Sequence, residues 1–270
     1  MIPRYLVESW REKAPWQNLA MVEQDLIISR ALVELYNQPL IRETLAFRGG
    51  TALNKLHIDP PQRYSEDIDL VQIKAAPIGQ SISEIRNALD GWLGEPRRNF
   101  TNRSAKLIYR YTAVGDVSSK LKIEINTTEH FHANPLQLVD YKMDSEWSQG
   151  QTRILTYSLN ELMGTKLRAL YQRRKGRDLF DLWYVLEKNM IDIEQVIEIF
   201  NNYNEYNKER ITRAMFEESL FDKEKHPGFM SDMSVLFAPD ANWDPKAALQ
   251  LVRETVMPKL KGQAWKREKA

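Results

Sequence analysis

Cysteine is absent from the 270 residues, which excludes disulfides, thiolate metal sites and cysteine nucleophiles together and fits a reducing compartment. Histidine is scarce: the four present are scattered, and the pair His130 and His132 has no third ligand at zinc-site spacing. An excess of one charge is also missing. Lys plus Arg number 38 and Asp plus Glu 37, so a net charge of +1 announces neither a nucleic acid nor a membrane through the global field. No window approaches the roughly 18 uninterrupted apolar residues of a membrane span, and the opening MIPRYLVESWREKAPWQ lacks the apolar run of a secretory signal. The expectation is a cytoplasmic protein without a membrane partner. The sequence contains neither GxxxxGK followed by Ser or Thr, nor GxGxxG, nor protein-kinase motifs, which removes the usual support for P-loop hydrolysis and dinucleotide redox chemistry.

What is present is organised in two stretches of different character. Apolar residues recur at helical intervals from Asn18 to about Tyr36. Leu45-Ala46-Phe47 then reads as a strand, closed by Gly49-Gly50 and followed by a helix. In the next apolar run Asp67 and Asp69 alternate with Ile68 and Leu70 at the period of a strand, so both carboxylates share a face. Ser81 and Glu84 have the spacing of a capping box for a helix that Gly94 and Pro96 stop. Ala105 to Thr112 and Lys120 to Asn126 suit an antiparallel hairpin. After about Thr156 the signals are helical: a capping box at Ser158 and Glu161 opens a helix to about Gln172, Asp178 to Lys188 reads as another, and Asp244-Pro245 opens a later one. The basic tail from Lys259 is expected to fray. The predicted class is α+β: residues 1–155 form a mixed sheet with flanking helices and an N-terminal helix, and residues 156–270 form a helical domain.

Two aspartates side by side on a strand repel one another until a hard divalent cation sits between them. A lone Asp-Ile-Asp is nevertheless more often a pair of solvated carboxylates. Gly49-Gly50-Thr51, between strand and helix, lets backbone N–H groups approach phosphate oxygens, or serves turn geometry alone. Glu124 is either a third carboxylate for the same site or a strand residue paired with Lys122 or Lys120. Lys166, Arg168, Arg173, Arg174, Lys175 and Arg177 form a basic stretch that on pattern alone is a solvated helix face. Asp178 has the competing role of an N-cap. Tyr64, in the loop before the aspartates, is a candidate for stacking on a base.

FRGGTALNKLH followed by RYSEDIDL resembles the signature of the AbiEii-type nucleotidyltransferases, toxin components of abortive-infection toxin-antitoxin systems that include the MenT-like toxins. ELMGTKLRALYQRRKGRDLFDLWYVL is similar to the family's second block. The resemblance spans residues 40–75 and 155–190, and it implies a DNA polymerase beta-like fold. It implies Asp67, Asp69 and Glu124 as metal ligands for Mg2+ or Mn2+, and Asp67, Asp69, Glu124, Lys166 and Asp178 as catalytic residues. Gly49, Gly50, Thr51, Ser65 and Lys166 would bind the NTP substrate, and Arg173, Arg174, Lys175 and Arg177 would meet RNA. The implied reaction transfers NMP to an RNA acceptor, the 3′ end of tRNA, and blocks growth. The implied partner is a DNA-binding, AbiEi-like antitoxin encoded nearby. Transfer to a protein or small-molecule hydroxyl, or nucleotide binding without turnover, would use the same site.

Overall fold

The structure, a computed structural model, describes residues 2–237 and 243–266. The chain divides into two compact units. Unit 1 comprises the described residues of Met1–His130, Pro135–Tyr157 and Leu236–Ala241, and unit 2 those of Phe131–Asn134, Ser158–Val235 and Asn242–Ala270.

Unit 1 contains helices α1 (Arg4–Ser9), α2 (Leu19–Tyr36), α3 (Pro39–Thr44), α4 (Gly49–Leu56) and α5 (Gly79–Leu93). Its strands are β1 (Leu45–Arg48), β2 (Asp67–Gln72), β3 (Arg97–Phe100), β4 (Ser104–Ala113), β5 (Val117–Asn126), β6 (Gln137–Asp144) and β7 (Gln149–Thr156). They form one mixed sheet in the order β3-β4-β5-β2-β1-β7-β6, with β2 parallel to β5, antiparallel to β1, and β1 parallel to β7. The expected hairpin is β4–β5, closed by Gly115 and Asp116 in the left-handed region. The β6–β7 hairpin and β3 were not expected. β3 is exposed throughout and has no apolar alternation, whereas β6 does alternate, with Val139, Tyr141 and Met143 turned inward between exposed Asp140, Lys142 and Asp144, a half-buried pattern that the sequence reading passed over.

Alternation along the central strands sorts apolar from charged residues. Ile68 and Leu70 of β2, Leu121, Ile123 and Ile125 of β5, and Ala105, Leu107 and Tyr109 of β4 join α2 and α5 in the core. The residues between them are left to the other face. Helix α2, capped by the Asn18 side chain on the Ala20 N–H, is buried on more than its apolar stripe: Glu23, Gln24, Asp25 and Ser29 are each no more than 4% exposed. Their polar atoms grip the site-bearing elements. The Gln24 amide donates to the Glu66 carbonyl at 2.8 Å and the Lys120 carbonyl at 3.0 Å, Asp25 accepts from Lys55 of α4 at 2.6 Å, and Glu23 accepts from the Val114 N–H. Helix α5 starts at Gly79 with no side-chain cap, and Ser81 is buried in its first turn, so the box expected at Ser81 and Glu84 does not form.

Unit 2 is helical: α6 (Leu159–Gln172), α7 (Gly176–Glu187), α8 (Ile193–Tyr206), α9 (Arg213–Glu224), α10 (Pro227–Met230) and α11 (Pro245–Thr255). Ser158 caps α6 through the Glu161 N–H, and Asp244 caps α11 through the Lys246 N–H. The Glu161 carboxylate does not complete the box. Fully buried, it accepts from the Ala133 and Asn134 N–H groups and from the Tyr203 hydroxyl. The tail is docked as far as it is described: the Trp265 N–H donates to Glu217 and its ring packs on Phe221, while residues 267–270 lie outside the described residues. Among the described residues no helix is long and apolar enough to cross a membrane. Glu161→Ala strands two part-buried backbone donors and removes a buried acceptor from the Tyr203 hydroxyl, each lost partner costing about 1–3 kcal/mol, so it should lower the unfolding free energy by at least ~2 kcal/mol in urea titration. A change below ~0.5 kcal/mol would refute the role of Glu161 as an internal acceptor.

Candidate active site

The site in unit 1 is assembled by strand register. Arg48 of β1 lies opposite Asp69 of β2, Asp69 opposite Glu124 of β5, and Glu124 opposite Lys106 of β4, a row of alternating-strand charges running plus, minus, minus, plus. One step along, Asp67 lies opposite Lys122. The Lys122 ammonium donates to Asp67 at 2.8 Å and Glu124 at 3.3 Å, and Lys106 reaches Glu124 at 3.0 Å. At the end of β1, Arg48 pairs with Glu129 at 2.7 Å.

These neighbours act on the carboxylates in opposite senses. Burial, and next the charge of Asp67, push the Asp69 carboxyl above its ordinary value, against the pull of Lys122 and Arg48. Burial would raise Glu124 as well, but hydrogen bonds and charge from Lys106 and Lys122 hold it below the usual range. Asp69 is therefore the carboxylate with unrelieved repulsion.

The glycine turn is fitted to Asp69. Gly49 has φ +83°, and a Cβ there would stand 2.5 Å from Asp69 Oδ2. A Cβ on Gly50 would stand 2.4 Å from the Arg63 guanidinium, which is itself buried. Thr51 and Ser65 are brought beside them, but Thr51 is only 2% exposed, and its hydroxyl joins the Ser65 Oγ at 2.8 Å and the Asp67 carbonyl. These hydroxyls brace the turn against β2. Tyr64 is not displayed for stacking on a base: it is 9% exposed and packs edge-on against Trp16 with ring centroids 6.0 Å apart.

The donor set suits a divalent cation at Asp67 and Asp69, two hard oxygen ligands on one face, one of them crowded by like charge, beside a turn with no side chain in the way. Glu124 faces the same way but is taken by two ammonium groups. Among the described residues no three Asp, Glu, His or Cys side chains are arranged to hold a metal ion.

The second group of expected residues lies in unit 2. Lys166 is not on a solvated face: it is 6% exposed, and its ammonium lies 3.0 Å from Asp178 and 2.9 Å from Asp181. Asp178 is not an N-cap. It sits in the first turn of α7, whose N-cap is Lys175, and it grips the Arg173 guanidinium at two points, 2.6 and 2.8 Å. Although burial opposes it, Lys166 and Arg173 hold the Asp178 carboxyl far below the ordinary range. The exposed member of the cluster is Arg173, half open to solvent. Arg174 and Lys175 are exposed and the Arg177 N–H is tied to Asp232. His130 and His132 bond to the Gln72 and Asn134 carbonyls respectively.

Sequence reasoning missed Arg48, Lys106 and Glu129 in the site. Lys122 had a signal, since the Lys-x-Lys-x-Glu alternation of residues 120–124 places them on one face. Lys106 depends on register across strands and had none.

The family model for the nucleotidyl transferase AbiEii toxin of type IV toxin-antitoxin systems matches residues 30–251. The chain belongs to that family of nucleotidyltransferase toxins. In fold it is similar to MenT4, a nucleotidyltransferase toxin from Mycobacterium tuberculosis, with a TM-score of 0.70 at 20% identity over 97% of this chain and 91% of that one. JHP933 from Helicobacter pylori matches with a TM-score of 0.56 at 15% identity over 90% and 93% of the two chains. No curated protein matches in sequence.

Gly49→Ala forces a side chain into a left-handed backbone and onto Asp69. It should cost about 1–3 kcal/mol and displace Asp69, read as a lower melting temperature together with weaker Mn2+ binding. Wild-type behaviour in both assays would remove the turn from the site. In unit 2, Lys166→Met removes the ammonium that two buried carboxylates share, although Asp178 keeps Arg173, so it should destabilise by about 3–5 kcal/mol in urea. The depressed Asp178 carboxyl contributes stability that is full above its unfolded pKa of about 3.9 and is lost as pH falls below it. The gap in unfolding free energy between wild type and Asp178→Asn should therefore be widest near pH 7 and narrow below about pH 4; a gap that stays flat would contradict the pairing.

Proposed function

We propose that this chain transfers a nucleoside monophosphate from an NTP to the 3′ hydroxyl of an RNA acceptor, that of tRNA, and so arrests growth unless an antitoxin is present. Its antitoxin would be a DNA-binding protein encoded nearby, and its place of action the cytoplasm, where NTP and tRNA are found. The observation that carries this reading is the Asp67–Asp69 pair on one face of β2, against Gly49 at the start of α4.

Asp67 and Asp69 would hold Mg2+ or Mn2+. Such a cation, when bound, neutralises phosphate charge and makes the acceptor hydroxyl more acidic. The chain's own residues supply the rest. The α4 N-terminus directs backbone N–H groups of the Gly49-Gly50 turn toward phosphate oxygens, and no Cβ keeps them at a distance. Thr51 and Ser65 hold that turn on β2, so the donors and the carboxylates keep one spacing. Arg48 and Lys122 add positive charge at the edges of the aspartate pair. The acceptor oxygen bonds to the α-phosphorus as the bond to the β-phosphate breaks, releasing pyrophosphate and a proton. In unit 2, Lys166 and Asp178 act as positioning residues for Arg173, the member of their cluster that solvent and substrate can reach.

Incubation with α-labelled NTPs, Mg2+ and total RNA should place label in tRNA. Asp67→Asn and Asp69→Asn should each reduce it by more than about 100-fold, since even outer-shell partners of metal ligands cost roughly 10- to 100-fold. Asp69→Asn should melt at or above the wild type because repulsion is relieved, and Asp67→Asn within roughly 1 kcal/mol because its lysine pair is partly solvated. Wild-type rates from both variants would overturn the metal assignment. Label in protein rather than RNA would overturn the acceptor, and NTP binding without pyrophosphate release would overturn turnover.

A further inference from the structure

Unit 2 contains a pocket of about 320 Å3 between the C-terminal end of α6 and α9, lined in part by Tyr171, Arg173, Arg174, Ser219, Asp222 and Lys223. That volume is at the lower end of small-ligand sites. Lys223 is 3% exposed. Its ammonium donates to the Tyr171 carbonyl at 2.8 Å and to the Ser219 Oγ and lies 5.9 Å from the centroid of the Tyr171 ring, which leaves one of three N–H donors without a hydrogen bond. Among the described residues no carboxylate forms an ion pair with it. Two carboxylates, Glu218 and Asp222, also line the pocket; both are exposed, and neither forms an ion pair with Lys223 or Arg174. Arg174, also exposed, makes no hydrogen bond or ion pair among the described residues.

A buried ammonium without a counter-ion, next to a second cation that is also unpaired, is costly to maintain. Burial, and then the charge of Arg174, push the Lys223 ammonium down to about 8, with Asp178 and Asp222 pulling the other way. A lysine at a helix end can serve the last carbonyls, which accounts for the bond to Tyr171. It does not account for Arg174, whose charge makes that arrangement worse. An anion with several acceptor oxygens would satisfy both groups at once.

We propose that Arg174 and Lys223 form a phosphate-binding subsite in the pocket between α6 and α9. Its ligand is a phosphate group, carried either by an RNA backbone or by the tail of a nucleotide. The inference stands apart from the proposed transfer reaction, because phosphate binding is measurable without turnover.

The test uses the full chain as wild type, Arg174→Ser and Lys223→Met. Inorganic phosphate and pyrophosphate should raise the wild-type melting temperature more than chloride does at equal ionic strength, and calorimetric phosphate affinity should fall at least tenfold in each variant. Because Arg174 is exposed, Arg174→Ser decides the matter even if Lys223→Met fails to fold. If RNA supplies the phosphate, the log-log salt slope of single-stranded RNA binding should flatten by roughly 0.7 in Arg174→Ser with NTP affinity unchanged. If a nucleotide supplies it, NTP affinity should drop about tenfold and the RNA slope should stay the same, a loss of about 1.4 kcal/mol. Phosphate, NTP and RNA binding at wild-type levels in Arg174→Ser would overturn the proposal. So would a Lys223→Met protein that is less stable but keeps its full response to phosphate.

Discussion

The polar grip of α2 on the rest of unit 1 is the constraint on which the site depends. A helix surrounded by sheet and helices ordinarily presents only apolar residues, yet Glu23, Gln24, Asp25 and Ser29 are buried on this one. Each buried polar group is costly unless its bonds are made, and here they are made to the elements that carry the site. Gln24 holds the chain immediately before Asp67 and the strand that carries Lys122 and Glu124, while Asp25 holds α4 through Lys55. Strands sliding by one residue would exchange their faces. Gln24, bonded to two of them, opposes that slip where it would send the aspartates into the core.

Once register is set, the electrostatics follow. Carboxylates in adjacent rows of a sheet would repel, and the sheet places Arg48, Lys106 and Lys122 at the ends of those rows. The balance is uneven: Glu124 has two ammonium partners, whereas Asp69 feels Asp67 and burial. This imbalance identifies the position where an added cation gains most. The chain belongs to the nucleotidyltransferase toxin family and is similar in fold to MenT4.

Unit 2 handles charge differently. Lys166, Asp178, Asp181 and Arg173 form a network in which three members are almost wholly buried and one is half exposed. Such a network is strong when complete and costly when broken, so it fixes the orientation of Arg173 more firmly than a surface pair would. Arg174 and Lys223 are the contrasting case, two neighbouring cations with no ion-pair partner among the described residues.

Much of the fold was legible in the sequence because it is written in local chemistry. The alternation of Asp67 and Asp69 with Ile68 and Leu70 put both carboxylates on one face before any partner strand was known. The Gly49-Gly50 turn needs an absent Cβ, and the caps at Ser158 and Asp244 need only neighbouring N–H groups. What tertiary structure decided is every feature that depends on residues distant in sequence. Edge strand β3 carries no apolar alternation because little covers it, so pairing alone makes it a strand. The Lys106 partner of Glu124 depends on the register of β5 with β4. Lys166 belongs to a basic run that reads as solvated, and only the packing of α6 against α7 buries it between two aspartates. The role of Lys223 depends likewise on α9 meeting the end of α6. A sequence determines which face a side chain takes within its own element, through the fixed periods of strand and helix. Which charge it meets there is set by the long-range packing that brings another element alongside.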